Sequence, residues 1–131
     1  MNPTTNLMVQ IVLLAWVAFA GYVAKFRRDL LKHCWFMRAA IVGLLVSLFL
    51  AMLPSFIAYA RVGFRVPVFY TAMYVHAALG VVVVGTWLYV NLVQTGVIKT
   101  SRRLVVPMRL AATLWVLSFI TGLFMYLYTR I

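Results

Sequence analysis

From Tyr70 to Asn91 the chain carries no charged side chain. As a helix rising ~1.5 Å per residue, a run of that length crosses the ~30 Å hydrocarbon core of a bilayer. Apolar surroundings oblige each backbone N–H and C=O to bond within the protein, which favours a helix over an open strand. Three further apolar runs, at about 7–24, 37–59 and 107–129, repeat the pattern, and the first run extends over about 70–94. The expected fold is therefore all-α and integral to a membrane: a single domain over 1–131, built as a bundle of four transmembrane helices.

A hydrophobic content of 66% over 131 residues and a mean hydropathy of +1.06 exclude an ordinary soluble domain. The net charge of +11 comes from 12 Lys and Arg against one acid, Asp29. In a soluble protein this would suggest nucleic acid, but no soluble module remains to present it, so topology explains it better. Lys25, Arg27, Arg28, Lys32 and Arg38 lie between the first two runs, and Lys99, Arg102, Arg103 and Arg109 between the last two. The opposite ends hold only Arg61, Arg65 and Arg130. The positive-inside bias makes the basic loops 25–38 and 99–109 cytoplasmic, where they meet anionic lipids, and puts both termini outside (N-out/C-out). No basic residue precedes the first run, the reverse of a secretory signal, so the first helix is expected to be retained. The lone cysteine, Cys34, allows no intrachain disulfide and so does not report a redox compartment.

Small residues at four-residue spacing suggest close helix contact. Ala39, Gly43, Ser47 and Ala51 form one such stripe; Ala72, His76 and Gly80 form another; Ser118 and Gly122 continue the pattern. Pro54 is expected to kink or unwind the second helix near its far end, and Pro67 and Pro107 to mark a turn and a helix start.

His76 is the one ionisable side chain inside an apolar run. A polar group there needs a partner, so His76 has three readings: a hydrogen bond to a neighbouring helix, a metal or b-type haem ligand, or a proton relay. His33 lies ~20 Å or more of helix rise away in level and cannot share a ligand with it. Placed by this topology, Met8, Met52, Met73 and Met125 fall in the same leaflet as His76, and Met73 shares its helix face. Thioether and imidazole favour Cu(I) and need no carboxylate, while methionine packing is the plainer alternative. His33, Cys34 and Met37 form a second soft cluster, for which interfacial packing is the expected role. No nucleophile is paired with a base, which argues against an independent enzyme, and no pair of broken helices suggests a transporter.

Several short motifs extend this reading: Lys32-His33 followed by Met37, Ser47-Leu48-Phe49-Leu50, and Tyr70 ahead of His76. Arg102-Arg103 before Pro107, the run from Leu114 to Gly122, and Tyr126-Leu127 complete the set. From Lys25 onward the chain resembles a family of small four-helix bacterial membrane proteins of unknown function that includes the cytochrome oxidase assembly factor CtaM and the YozB-like proteins. The resemblance implies the bacterial inner membrane and a place beside haem-copper oxidases, with His33 and His76 at positions suspected in metal handling. Related sequences carry further histidines where this chain has Ile57-Ala58-Tyr59 and Lys99-Thr100-Ser101-Arg102. The expected function is thus a non-catalytic accessory or assembly subunit of a respiratory complex, with larger redox subunits as partners. The alternatives are a copper or haem b protein using His76, with Met73, Met52, Met125 or His33 as metal ligands, and a quinone-site contributor using His76, Tyr74 or Trp87.

Overall fold

In the computed structural model the described residues are 3–62, 66–100 and 103–130, and all of their regular structure is helical. Gly63, Arg65 and Arg102, which the sequence places in loops, lie outside the described residues. The helices are α1 (Pro3–Phe26), α2 (Leu30–Ser47), α3 (Leu53–Val62), α4 (Pro67–Gln94) and α5 (Val105–Arg130), with a π-helical turn, Leu48–Met52, joining α2 to α3. Four helical stretches are long and apolar enough to cross a membrane: Thr4–Phe26, Leu30–Arg61, Pro67–Gln94 and Val105–Arg130. Each is longer than its apolar run: Lys25, Lys32, Arg61 and Arg130 continue three of the helices into their polar ends, and Pro67 starts the remaining one a turn earlier.

Two units divide the chain, Met1–Arg65 and Val66–Ile131. In the first, α1 packs against α2; in the second, α4 packs against α5. Arg27, Arg28 and Asp29 make the first hairpin's turn, with Arg28 in the left-handed region at φ 52°. The chain's only acid then starts α2: the Asp29 Oδ1 atom accepts from the Lys32 N–H at 3.1 Å, satisfying one of the donors a helix start leaves open. The basic stretch after Asp29 is thus the first turns of α2 itself.

At the other hairpin, Pro67 occupies the first turn of α4, where its missing N–H costs nothing. Gly96, at φ +81°, ends that helix. The Gly96 N–H donates to the Val93 carbonyl and the Val97 N–H to the Leu92 carbonyl, at 3.2 and 3.0 Å. This paired closure needs a left-handed residue after the cap, and glycine adopts it without strain.

Pro54 neither ends the second span nor leaves it regular. Its ring would meet the carbonyl four residues back in an α-helix, and it has no N–H to donate. The chain widens by one residue just before it, so that the Leu53 N–H reaches the Leu48 carbonyl. Helix then resumes through Val62.

Inside each unit the contact line alternates steps of four and three residues. In α1 it follows Asn6, Gln10, Leu13, Val17, Ala20 and Ala24; in α2 it follows His33, Met37, Ala40, Leu44, Ser47 and Ala51. Of the four-residue stripe, Ser47 and Ala51 are buried on this line, whereas Ala39 is exposed and Ala40 buried in its place, because a step of four overshoots one turn by ~40°. Gly43 remains close to the seam, its missing Cβ leaving room for the Leu13 side chain.

The first seam is not wholly apolar. The buried Ser47 hydroxyl donates to the Asn6 Oδ1 atom at 2.7 Å and accepts from the Gln10 amide at 2.8 Å. Trp16 adds a bond from its indole N–H to the Phe36 carbonyl at 2.8 Å, with the two rings edge to face. Ser47→Ala removes both bonds of the polar trio at once and is expected to cost about 1–2 kcal/mol. Ser55→Ala, on the exposed part of α3, is expected to be neutral; unfolding of both variants in mixed micelles, followed by Trp fluorescence, compares them.

Candidate functional site

The second unit is built around two matching seams. On α4 the line is Phe69, Met73, His76, Gly80, Val83, Trp87 and Val90; on α5 it is Ala111, Trp115, Ser118, Gly122 and Met125. Steps of four and three keep each line on one side of its helix, as in antiparallel coiled-coil packing. The register is fixed at two points. The Phe69 and Tyr128 rings lie 6.0 Å apart, and the His76 ring lies on Gly122.

His76 sits at the centre of this arrangement, half-buried, with its Nδ1 atom directed into α5. It is 2.7 Å from the Ser118 carbonyl, 3.1 Å from the Thr121 hydroxyl and 3.3 Å from the Ser118 hydroxyl. A carbonyl oxygen can only accept, so Nδ1 carries the proton and donates it. The Thr121 hydroxyl donates to the same Ser118 carbonyl at 2.8 Å, which leaves its lone pairs toward the imidazole. The ring is thereby held in one tautomer. The lone pair belongs to Nε2, the atom that can accept a hydrogen bond, take up a proton or bind a metal.

Space for the ring comes from Gly122. A Cβ there would stand 3.0 Å from His76 Cε1 and 3.4 Å from Nδ1. The small residues Ser118 and Gly122, read from sequence as helix contacts, thus play distinct parts, one supplying the acceptor and the other the clearance. Gly80 has open space around its Cβ position and does not make that kind of contact.

Of the other candidate ligands, Met73 is buried on the α4 seam and Met125 is half-buried on the α5 seam, both in the unit that holds His76. Met52 and His33 belong to the first unit, and Met8 is exposed there. His33 also donates from Nδ1, to the Ala20 carbonyl at 2.7 Å, a bond that ties α2 to α1 beside the turn. Among the described residues no three His, Cys, Asp or Glu side chains gather as a metal site. Tyr74 is exposed and Trp87 half-buried on α4.

No protein-family model, curated protein or solved structure matches this chain. The site's meaning therefore rests on its geometry.

Sequence reading missed Thr121 and the Asn6–Gln10–Ser47 trio. Thr121 is visible in hindsight as the residue three after Ser118, on the same helix face. Gln10 was legible as a lone amide within an apolar run, as costly to leave unpaired as a histidine.

Gly122→Ala forces the pinned ring or α5 to move by a few tenths of an ångström and is expected to destabilise by about 1–3 kcal/mol. Gly80→Ala is expected to leave stability unchanged or slightly raised. Thermal unfolding in detergent compares them, and ¹⁵N spectra of the imidazole are expected to show the proton on Nδ1 in the native chain.

Proposed function

We propose that this chain is a multi-pass membrane protein, both termini outside and basic loops cytoplasmic, that serves as a non-catalytic accessory or assembly subunit of a larger respiratory complex in a bacterial inner membrane. A haem-copper terminal oxidase is the expected partner, on the strength of the sequence resemblance. The observation that carries the subunit reading is a set of small residues lying outside both seams. Ala15, Ala18 and Gly21 on α1, and Ala78 and Gly85 on α4, are exposed and take no part in the seam of their own unit. Gly21 and Gly85 have nothing within 4 Å of a Cβ position.

In lipid, apolar burial gives helices no reason to associate, so close backbone approach and hydrogen bonds must supply the attraction. Each hairpin already has a seam of its own. Further small-residue faces are surplus to it and suit docking of another helix at short range. Large exposed side chains flank them on the same helices, among them Val12 and Phe19 on α1 and Val81 and Leu88 on α4, suited to lipid or to a protein partner. Two polar contacts hold the helices themselves: Asp29 caps α2, and the His76 Nδ1–H ties α4 to α5.

Extraction from native membranes in mild detergent is expected to yield the chain in fixed ratio with larger redox subunits. Recovery solely as a free monomer would sink the reading. Orientation has a separate check in Cys34, the chain's one thiol, which lies just inside the first basic loop. A membrane-impermeant maleimide is expected to label it in inverted vesicles and not in intact cells.

A further inference from the structure

We propose that Met73, His76 and Met125 form a Cu(I)-binding site in the second helical unit, with His76 Nε2 as its nitrogen ligand. This goes beyond the accessory-subunit reading and stands independently of it. Three observations converge on it.

First, the antiparallel register sets the residues level with one another. Phe69 opposes Tyr128 and His76 opposes Gly122, so one step back along α4, from His76 to Met73, matches one step forward along α5, from Gly122 to Met125. Both methionines belong to the facing seams, and Met125 is turned further in than its exposed neighbour Phe124. They lie a single ~4.5 Å rise from the imidazole's level, within the reach of an unbranched side chain with three rotatable bonds.

Second, the imidazole is prepared as a ligand. Metal-bound histidines commonly donate their other N–H to a carbonyl, which fixes the tautomer and strengthens the donor nitrogen. Here that N–H faces the Ser118 carbonyl and two hydroxyl oxygens at 2.7 to 3.3 Å. Those three oxygens also place negative dipole ends behind the ring, where they offset part of a cation's charge on its far side.

Third, the ligand chemistry selects the ion. Two thioethers and one neutral imidazole are soft and carry no charge. They suit a monovalent soft cation, whereas Mg²⁺ and Ca²⁺ call for oxygen ligands and Zn²⁺ for several imidazoles, thiolates or carboxylates and not thioethers. No cluster of that harder type occurs among the described residues. A trigonal Cu(I) complex with these ligands holds a single positive charge, one less than a divalent ion on the same neutral ligands would bring into apolar surroundings.

The test titrates the full-length protein in mild detergent, under ascorbate and without oxygen, with Cu(I) buffered by bicinchoninate. One copper per chain is expected, with nitrogen and sulfur backscatter together in its X-ray absorption spectrum. Met73→Leu combined with Met125→Leu keeps volume and apolarity and is expected to weaken binding by about 100-fold. Met108→Leu, on the same helix far from the site, is expected to bind as the native chain does. Absence of Cu(I) binding by the native protein, a spectrum without sulfur, or unaltered affinity in the double variant would each overturn the proposal. Matching melting curves of the two variants confirm that the loss is not unfolding.

Discussion

A polar atom in an apolar helix must be answered from within the protein, and most of the specific geometry in this chain follows from that constraint. In a membrane, leucine against leucine would leave each hairpin free to slide or rotate at little cost, since lipid would be as good a neighbour as another helix. The hydrogen bonds set the register instead. His76 to Ser118 and Thr121 does so in the second unit, and Ser47 to Asn6 and Gln10 in the first. Glycine and serine at the same level then let the backbones approach closely enough for those bonds to form.

The two hairpins solve one problem by related means. Each has an alternating seam, a hydroxyl near its polar contact, and a histidine whose Nδ1–H is given to a carbonyl of the facing helix. The histidines differ in setting. His33 stands one turn past the Asp29 cap, beside charged residues, and acts as a tie near the hairpin's turn. His76 is mid-span, where no charged side chain from Tyr70 to Asn91 competes for it. The same bond therefore leaves Nε2 in very different surroundings, and only the second histidine has two seam methionines level with it.

The number of span-length helices, their approximate limits and the need of His76 for a partner were legible in the sequence, because uninterrupted apolarity and a lone histidine within it are strong signals. Helix ends were less so, since Lys25 and Arg130 are good helix residues that hydropathy places in loops. The packing faces were harder still. A four-residue stripe looks like a helix face over two turns, but it drifts away over three, which is why Ala39 proved exposed and Ala40 buried. Gln10 was passed over because an amide lacks charge, although its need for a partner is similar. The level match between Met73 and Met125 depends on the register of two helices against each other, and no single-chain pattern contains that information.

The π turn ahead of Pro54 changes more than the local hydrogen bonding. One additional residue in a turn rotates everything after it by ~100° about the helix axis. Without it, the face that carries Ser47 and Ala51 would continue to Ser55 and Ala58, yet both are exposed, whereas Phe56 is half-buried. The proline thus acts as a phase shifter. It lets one continuous helical stretch address its first half to α1 and turn a different face, marked by Phe56, beyond the proline.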